Sequence, residues 1–187
     1  MGTTIEAPPA GMSPGALPDC GRGERDRPDG FQRVSTALGV AAHPHPAQWL
    51  EVAARTAQEA ADGLGVALGQ IAKCVVFRRR SDDRAVLVVA SGDRRVDEAK
   101  LQAHTGGLGR ADAQFVKAST GFSIGGVSPI GFAPAGDGTA PQLFIDRDLF
   151  RFDLIWAAAG HPNGVFKLTP AQLVQLTGAP VIDVVTA

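Results

Sequence analysis

Residues Ser119 to Gly131 read Ser-Thr-Gly-Phe-Ser-Ile-Gly-Gly-Val-Ser-Pro-Ile-Gly, and no other stretch constrains the chain as tightly. Four glycines, a proline and several small hydroxyls stand between two apolar segments. Glycine lets a backbone adopt positive φ or approach another group closely. Pro129 fixes its own φ and biases Ser128 toward an extended conformation. The consecutive N–H groups of Gly125, Gly126 and Val127 could converge on one oxygen, as in an anion nest or an oxyanion hole. The plainer alternative is a tight turn between packed elements. Thr120 and Ser123 could line a pocket beside the loop, although small hydroxyls also suit turns.

Two further segments accompany the loop. Ile71-Ala72-Lys73-Cys74-Val75-Val76-Phe77 sets a lysine inside an apolar run, and Gly160-His161-Pro162-Asn163-Gly164-Val165-Phe166-Lys167-Leu168 follows downstream. In a strand Lys73 takes the face opposite Ala72 and Cys74. Facing a cleft, its ammonium can stabilise a carbonyl or phosphate oxygen, or act as an acid/base after its pKa is lowered. The alternative is a strand lysine that snorkels to water. Cys74 directly follows it and reads as a small buried hydrophobe. No Gly-x-Ser-x-Gly elbow accompanies Ser128, which argues against a serine nucleophile.

These three segments, in this order, resemble the YbaK/EbsC family, also called the prolyl-tRNA-synthetase-associated or ProX editing domain. The resemblance runs from about Phe31 to Val185 and is most specific over Thr120 to Gly131, where Gly125 to Pro129 match the family's glycine-x-x-x-proline signature. It implies an aminoacyl ester lying against Gly125, Gly126, Val127, Ser128 and Pro129, with Lys73 as the residue on which the family most depends. Ser128 would orient the substrate amine or the attacking water. Gly160 and His161 would border the site, His161 contacting the amino group or the terminal adenosine; other members carry an Arg-Gly segment there. Asp146, ending the run Leu143-Phe144-Ile145, could pair with Lys73 or an amine, or be a solvated strand end.

Length and composition suit one domain plus a tail: 187 residues, 44% hydrophobic, 20% charged, formal net charge -1. Without a basic excess, any tRNA contact must come from a local patch. No apolar run reaches the roughly 20 residues that span a bilayer. The N-terminus has no basic flank before an apolar core, so no secretory signal is expected. Two cysteines, Cys20 and Cys74, make no disulfide framework and fit a reducing cytoplasm.

Residues 1–29 are rich in Pro, Gly and charge and read as a disordered tail, with the folded domain over 30–187. Helices are expected over Phe31–Val40, Thr56–Leu64, around Val96–Ala103 with Asp93 or Asp97 as cap, and from Thr169 as N-cap to Gly178. His43-Pro44-His45-Pro46 reads as a loop rather than a metal site. Strands are expected over Gln70–Arg79 and Ala85–Ala90 as a hairpin, then Ala113–Ala118, Ile130–Ala133, Gln142–Asp146, Asp153–Ala159, Val165–Leu168 and Val181–Val185. Arg147–Phe150 reads as a turn.

The expected fold is therefore α+β: a single domain with a curled, mixed, barrel-like sheet flanked by helices. The resemblance implies a cytoplasmic hydrolase that frees tRNA, most plausibly tRNA for proline, from a wrong small amino acid: Ala, Cys, 2-aminobutyrate, Ser or Thr. Prolyl-tRNA synthetase is a possible partner; no cofactor, metal, membrane or DNA is implied. Two alternatives stand beside it. One is a non-catalytic module that binds tRNA or synthetase, supported only by Arg78-Arg79-Arg80 and Arg94-Arg95. The other is a hydrolase of small free esters.

Overall fold

The computed structural model describes residues 26–136 and 138–186. Most of the tail expected over residues 1–29 lies outside the described residues. Its last four residues lead into helix α1 (Asp29–Val40): the Pro28 carbonyl accepts from the Phe31 and Gln32 N–H groups. The guanidinium of Arg27 lies 4.3 Å from the Trp49 ring centre. Helix α1 buries Phe31, Val34 and Leu38, the face its spacing predicts.

The His-Pro repeat is a loop ending in a two-residue strand, β1 (Gln48–Trp49), which carries no sequence signal. Helix α2 (Ala57–Leu64) begins with a capping box: the Thr56 side chain accepts from the Glu59 N–H, and the Glu59 carboxylate from the Thr56 N–H. Strands β2 (Ile71–Arg79) and β3 (Ala85–Ser91) form the expected hairpin, in register from Ala72–Ser91 to Arg78–Ala85. Helix α3 (Glu98–Thr105) is capped by Asp97, not Asp93, and the short strand β4 (Leu108–Arg110) follows.

Two strand expectations are overturned. Ala113–Ala118 belongs to a helix, α4 (Ala113–Thr120). The Asp112 side chain accepts from the Phe115 N–H, Gly121 closes the helix at φ 76°, and Val116 and Thr120 form its buried i, i+4 face. Ile130–Ala133 is irregular chain in which Ile130 is buried, Phe132 is partly buried and Ala133 is exposed. The Thr120 carbonyl takes the Ala133 N–H, and Arg33 donates to the carbonyls of Gly121 (2.9 Å) and Gly131 (3.2 Å). Both ends of the glycine loop are thereby fastened to α1.

The rest alternates: β5 (Gln142–Asp146), a 3₁₀ turn at Arg147–Arg151, β6 (Ile155–Ala158), β7 (Gly164–Leu168), α5 (Pro170–Thr177) and β8 (Val181–Ile182). Thr169 caps α5 with Pro170 in its first turn and Gly178 ends it, as expected. The last apolar run pairs only at Val181–Ile182 and, through an isolated bridge, between Val185 and Val96. The sheet is mixed, ordered β1-β7-β6-β2-β3-β5-β8 with β4 also on β2, and it does not close. Strand β3 lies at its centre and is buried throughout. Leu87 and Val89 pack on one face with α1, α4 and α5, while Val86, Val88 and Ala90 pack on the other with Leu101 of α3. Among the described residues no helix is long and apolar enough to cross a membrane.

Candidate active site

One edge of β2 is shared between two strands that do not meet. Strand β6 pairs with it at Ile71 and Ala72, and β4 at Phe77 to Arg79. From Lys73 to Val76 that edge has no partner strand, and a cleft of about 370 Å³ opens there. Its wall includes residues from both faces of β2, Lys73 and Val75 from one and Cys74 and Val76 from the other, which only an edge position permits. The start of α2, the β6 segment Trp156–Ala158, the glycine loop and His161-Pro162 complete the wall. Small alanines, among them Ala54, Ala57 and Ala157, contribute to a mostly apolar wall.

Lys73 stands at this opening. Its ammonium donates to the carbonyls of Gly92 (3.1 Å) and Arg94 (2.5 Å). An ammonium has three donors, so one remains after these two bonds. Burial lowers the Lys73 pKa below its ordinary value of 10.5, opposed by the charge of Asp93. The turn that holds it is pinned by Arg151 on Asp93 and by Arg94 on Asp148 (2.7 Å). The neighbouring Cys74 is free, and burial pushes its thiol far above the usual range. It has none of the thiolate character a nucleophile requires.

The glycine loop enters the cleft through a tight turn. The Gly126 N–H donates to the Ser123 carbonyl (3.0 Å), and Gly125, at φ 91°, holds the third position of a type II-like turn. Gly126 is therefore already engaged, and a nest of three free N–H groups does not form. The N–H groups of Gly125 and Val127 bond no other described residue, and both residues line the cleft.

His161 faces the loop from the other side and stacks on Trp49, with ring centres 4.9 Å apart and planes at 18°. Its Nδ1 accepts from the Asn163 N–H (3.2 Å), which leaves the proton on Nε2 in the neutral ring. Burial lowers its pKa below 6.5, so the neutral form prevails at pH 7.

The remaining sequence candidates lie elsewhere. Thr120 is buried, its hydroxyl donating to the Val116 carbonyl (2.7 Å) and accepting from the Phe122 N–H (3.0 Å). Ser123 is exposed and supplies its carbonyl to the turn. Ser128 is wholly buried and its hydroxyl accepts from the Ile130 N–H (3.4 Å), away from the cleft wall. Pro129 lines a separate cavity beside Leu176. Gly160 is held against Gly30 and Phe122, where a β-carbon would lie 2.3 Å from the Gly30 carbonyl oxygen. Asp146 meets neither Lys73 nor solvent: its carboxylate accepts from the Asp148 N–H (2.8 Å) and the Val184 N–H (2.9 Å).

The basic clusters are largely neutralised within the chain. Arg78 pairs with Asp83, Arg79 with Asp82 and Arg94 with Asp148, while Arg80 donates to the Leu108 carbonyl. Arg55 at the cleft rim forms no salt bridge among the described residues. No motif marks Arg55 or Trp156, and only the fold brings them to the site.

The aminoacyl-tRNA editing domain model matches residues 51–176, which include β2, the loop and His161. The chain belongs to the aminoacyl-tRNA editing domain family. The uncharacterized protein YwhH of Bacillus subtilis (strain 168) is 35% identical over 136 residues, covering 72% of this chain and 83% of YwhH. A crystal structure of a candidate trans-editing enzyme for prolyl tRNA synthetase superposes with TM-score 0.77 at 35% identity, over 87% of this chain and 100% of that one. A scaffold protein used in computational grafting of linear epitopes superposes with TM-score 0.75 at 33% identity, over 86% and 99%.

Proposed function

We propose that this editing domain is a cytoplasmic trans-editing deacylase that hydrolyses the ester between a small, wrongly attached amino acid and tRNA for proline. One observation carries the reading: in a chain of this family, a mostly apolar cleft is lined by Lys73 and by Gly125 and Val127, whose N–H groups are unpaired among the described residues. Water attacks the ester carbonyl, forming a new C–O bond. The carbonyl oxygen becomes an oxyanion facing Lys73 and the loop N–H groups, and the bond to the ribose oxygen then breaks as that oxygen takes up a proton. Donors fixed in advance at a developing oxyanion are worth about 10²–10³ in rate each. Neutral His161 stacked on Trp49 offers a flat, polar-edged surface that suits the terminal adenosine. Arg55 at the rim suits the phosphates leading to it.

The alanine-lined wall supports steric selection of alanine-sized side chains over proline. A methylene contributes only about 1–3 kcal/mol to discrimination, which is why a second sieve is useful. Prolyl-tRNA synthetase is the partner this substrate implies.

The test is release of amino acid from Ala-, Cys-, Ser-, Thr- and 2-aminobutyryl-tRNA for proline, with Pro-tRNA as control, by wild type and Lys73→Ala. Selective release lost in the variant is the expected result. Saturable tRNA binding without release would make the domain a binding module, and cleavage of free aminoacyl esters indifferent to competing tRNA would make it a small-ester hydrolase.

A further inference from the structure

Main-chain groups at the gap in the sheet have a fixed direction. At the far end of β2 the Arg79 N–H donates to the Arg84 carbonyl across the hairpin, and the Arg80 N–H donates to the Gly107 carbonyl on the opposite side. Successive residues of an antiparallel strand turn their N–H and C=O groups to opposite edges. Odd-numbered residues of β2 therefore bond β3, and even-numbered ones face the edge shared by β4 and β6. Arg78 is taken up by β4 and Ala72 by β6. Cys74 and Val76 lie between: no strand pairs with Cys74, while the pairing of Phe77 with Arg110 turns the Val76 carbonyl toward Ala111 and leaves its N–H on the open edge. Residues 73–76 are all partly exposed, whereas β3 behind them is buried throughout.

The cleft wall contains no aspartate or glutamate. A ligand ammonium entering it finds no carboxylate, and the Cys74 carbonyl oxygen on the open edge is an acceptor for it. Two outward-facing residues lie only about 7 Å apart along a strand. With β6 and β4 closing both ends, the edge admits one amino-acid unit and not a strand from another protein.

Building on the deacylase reading, we propose that the α-aminoacyl group of the substrate pairs with this edge as a strand one residue long. Its α-ammonium donates to the Cys74 carbonyl, and its ester carbonyl accepts from the Val76 N–H, the two bonds a residue makes to one side of a strand. Recognition of the amino acid's common part is then made by main chain, as in β-strand addition, and its side chain is left to the apolar wall.

The experiment uses the full ¹⁵N-labelled chain and tRNA for proline ending in 3′-amino-3′-deoxyadenosine, joined to alanine through a hydrolysis-resistant amide. Comparators are the same tRNA uncharged and the same tRNA carrying a propionyl group, which lacks the α-amine. The alanyl form is expected to slow amide exchange at Val76 at least tenfold, the uncharged form to leave it unchanged, and the propionyl form to bind at least tenfold more weakly than the alanyl form. Binding of the alanyl form with unaltered exchange at Val76, or equal affinity for the propionyl form, would overturn this proposal while leaving deacylation intact. Absence of both binding and deacylation would overturn it together with the deacylase reading.

Discussion

The backbone of Gly126 lies directly against the backbone of His161: a β-carbon at residue 126 would stand 2.7 Å from the His161 Cα and 2.8 Å from its carbonyl carbon. Real β-carbons do not approach backbone this closely, so no side chain fits there without separating the two walls of the cleft. Gly126→Ala is expected to lower kcat/KM for deacylation by about 10²-fold, the effect of an ångström-scale displacement at a reacting centre. Thermal unfolding and deacylation of one preparation check this, and wild-type kcat/KM in the variant would refute the close packing as a functional constraint.

Lys73→Met removes the ammonium and keeps the aliphatic stem. The expected outcome is a fall in kcat of at least about 10²-fold, the scale of one oxyanion donor, with a Tm close to wild type. The pH dependence follows from the direction of the shift. Activity that uses the ammonium is full below the lowered pKa and is lost as pH rises through it, so the alkaline limb begins below 10.5. The contribution to stability has the opposite sign: in that window the unfolded chain binds the proton more tightly than the folded one, and stability rises with pH. A limb at or above 10.5 in the enzyme-dependent rate would assign it to another group.

Asp146→Ala leaves the N–H groups of Asp148 and Val184 without their buried acceptor. Hydrogen bonds to a charged group contribute about 1.5–3 kcal/mol each, so a net loss of about 3 kcal/mol is expected. For a domain of this size that lowers Tm by about 6–12 °C. A role in substrate binding would instead leave Tm unchanged and raise KM.

Arg55→Ala is expected to raise KM for the charged tRNA about five- to tenfold and to reduce the slope of log affinity against log salt by about 1, the signature of one lost phosphate contact. Arg78→Ala, whose partner Asp83 already neutralises it, is expected to change neither. The reverse ranking would move the tRNA path to the β2–β3 hairpin.

The parts of the fold written locally were legible in the sequence. The β2–β3 hairpin, the Thr169–Pro170 helix start and the glycine turn each depend on residues within one short window. Helix α4 was misread as a strand because its segment is brief, with Phe115 and Val116 as its only large apolar residues, although Asp112 and Gly121 stood at its ends as cap signals. Ile130–Ala133 was misread because a short apolar run that packs without pairing looks like a strand in composition alone. The cleft itself has no local signature. It exists because β4 and β6, almost fifty residues apart in the chain, each take part of one edge of β2. Ser128 and Asp146 illustrate the converse: polar side chains in the right segments whose partners turned out to be main-chain N–H groups.

An unpaired sheet edge ordinarily invites the strand of a neighbouring molecule and, with it, aggregation. The open stretch of β2 contains no proline, and its one charge, Lys73, is turned to the carbonyls of Gly92 and Arg94. It is four residues long and stopped at each end by a strand already in place. Self-association through β2 is thereby prevented by geometry alone, while its polar groups stay accessible to something the size of a single residue.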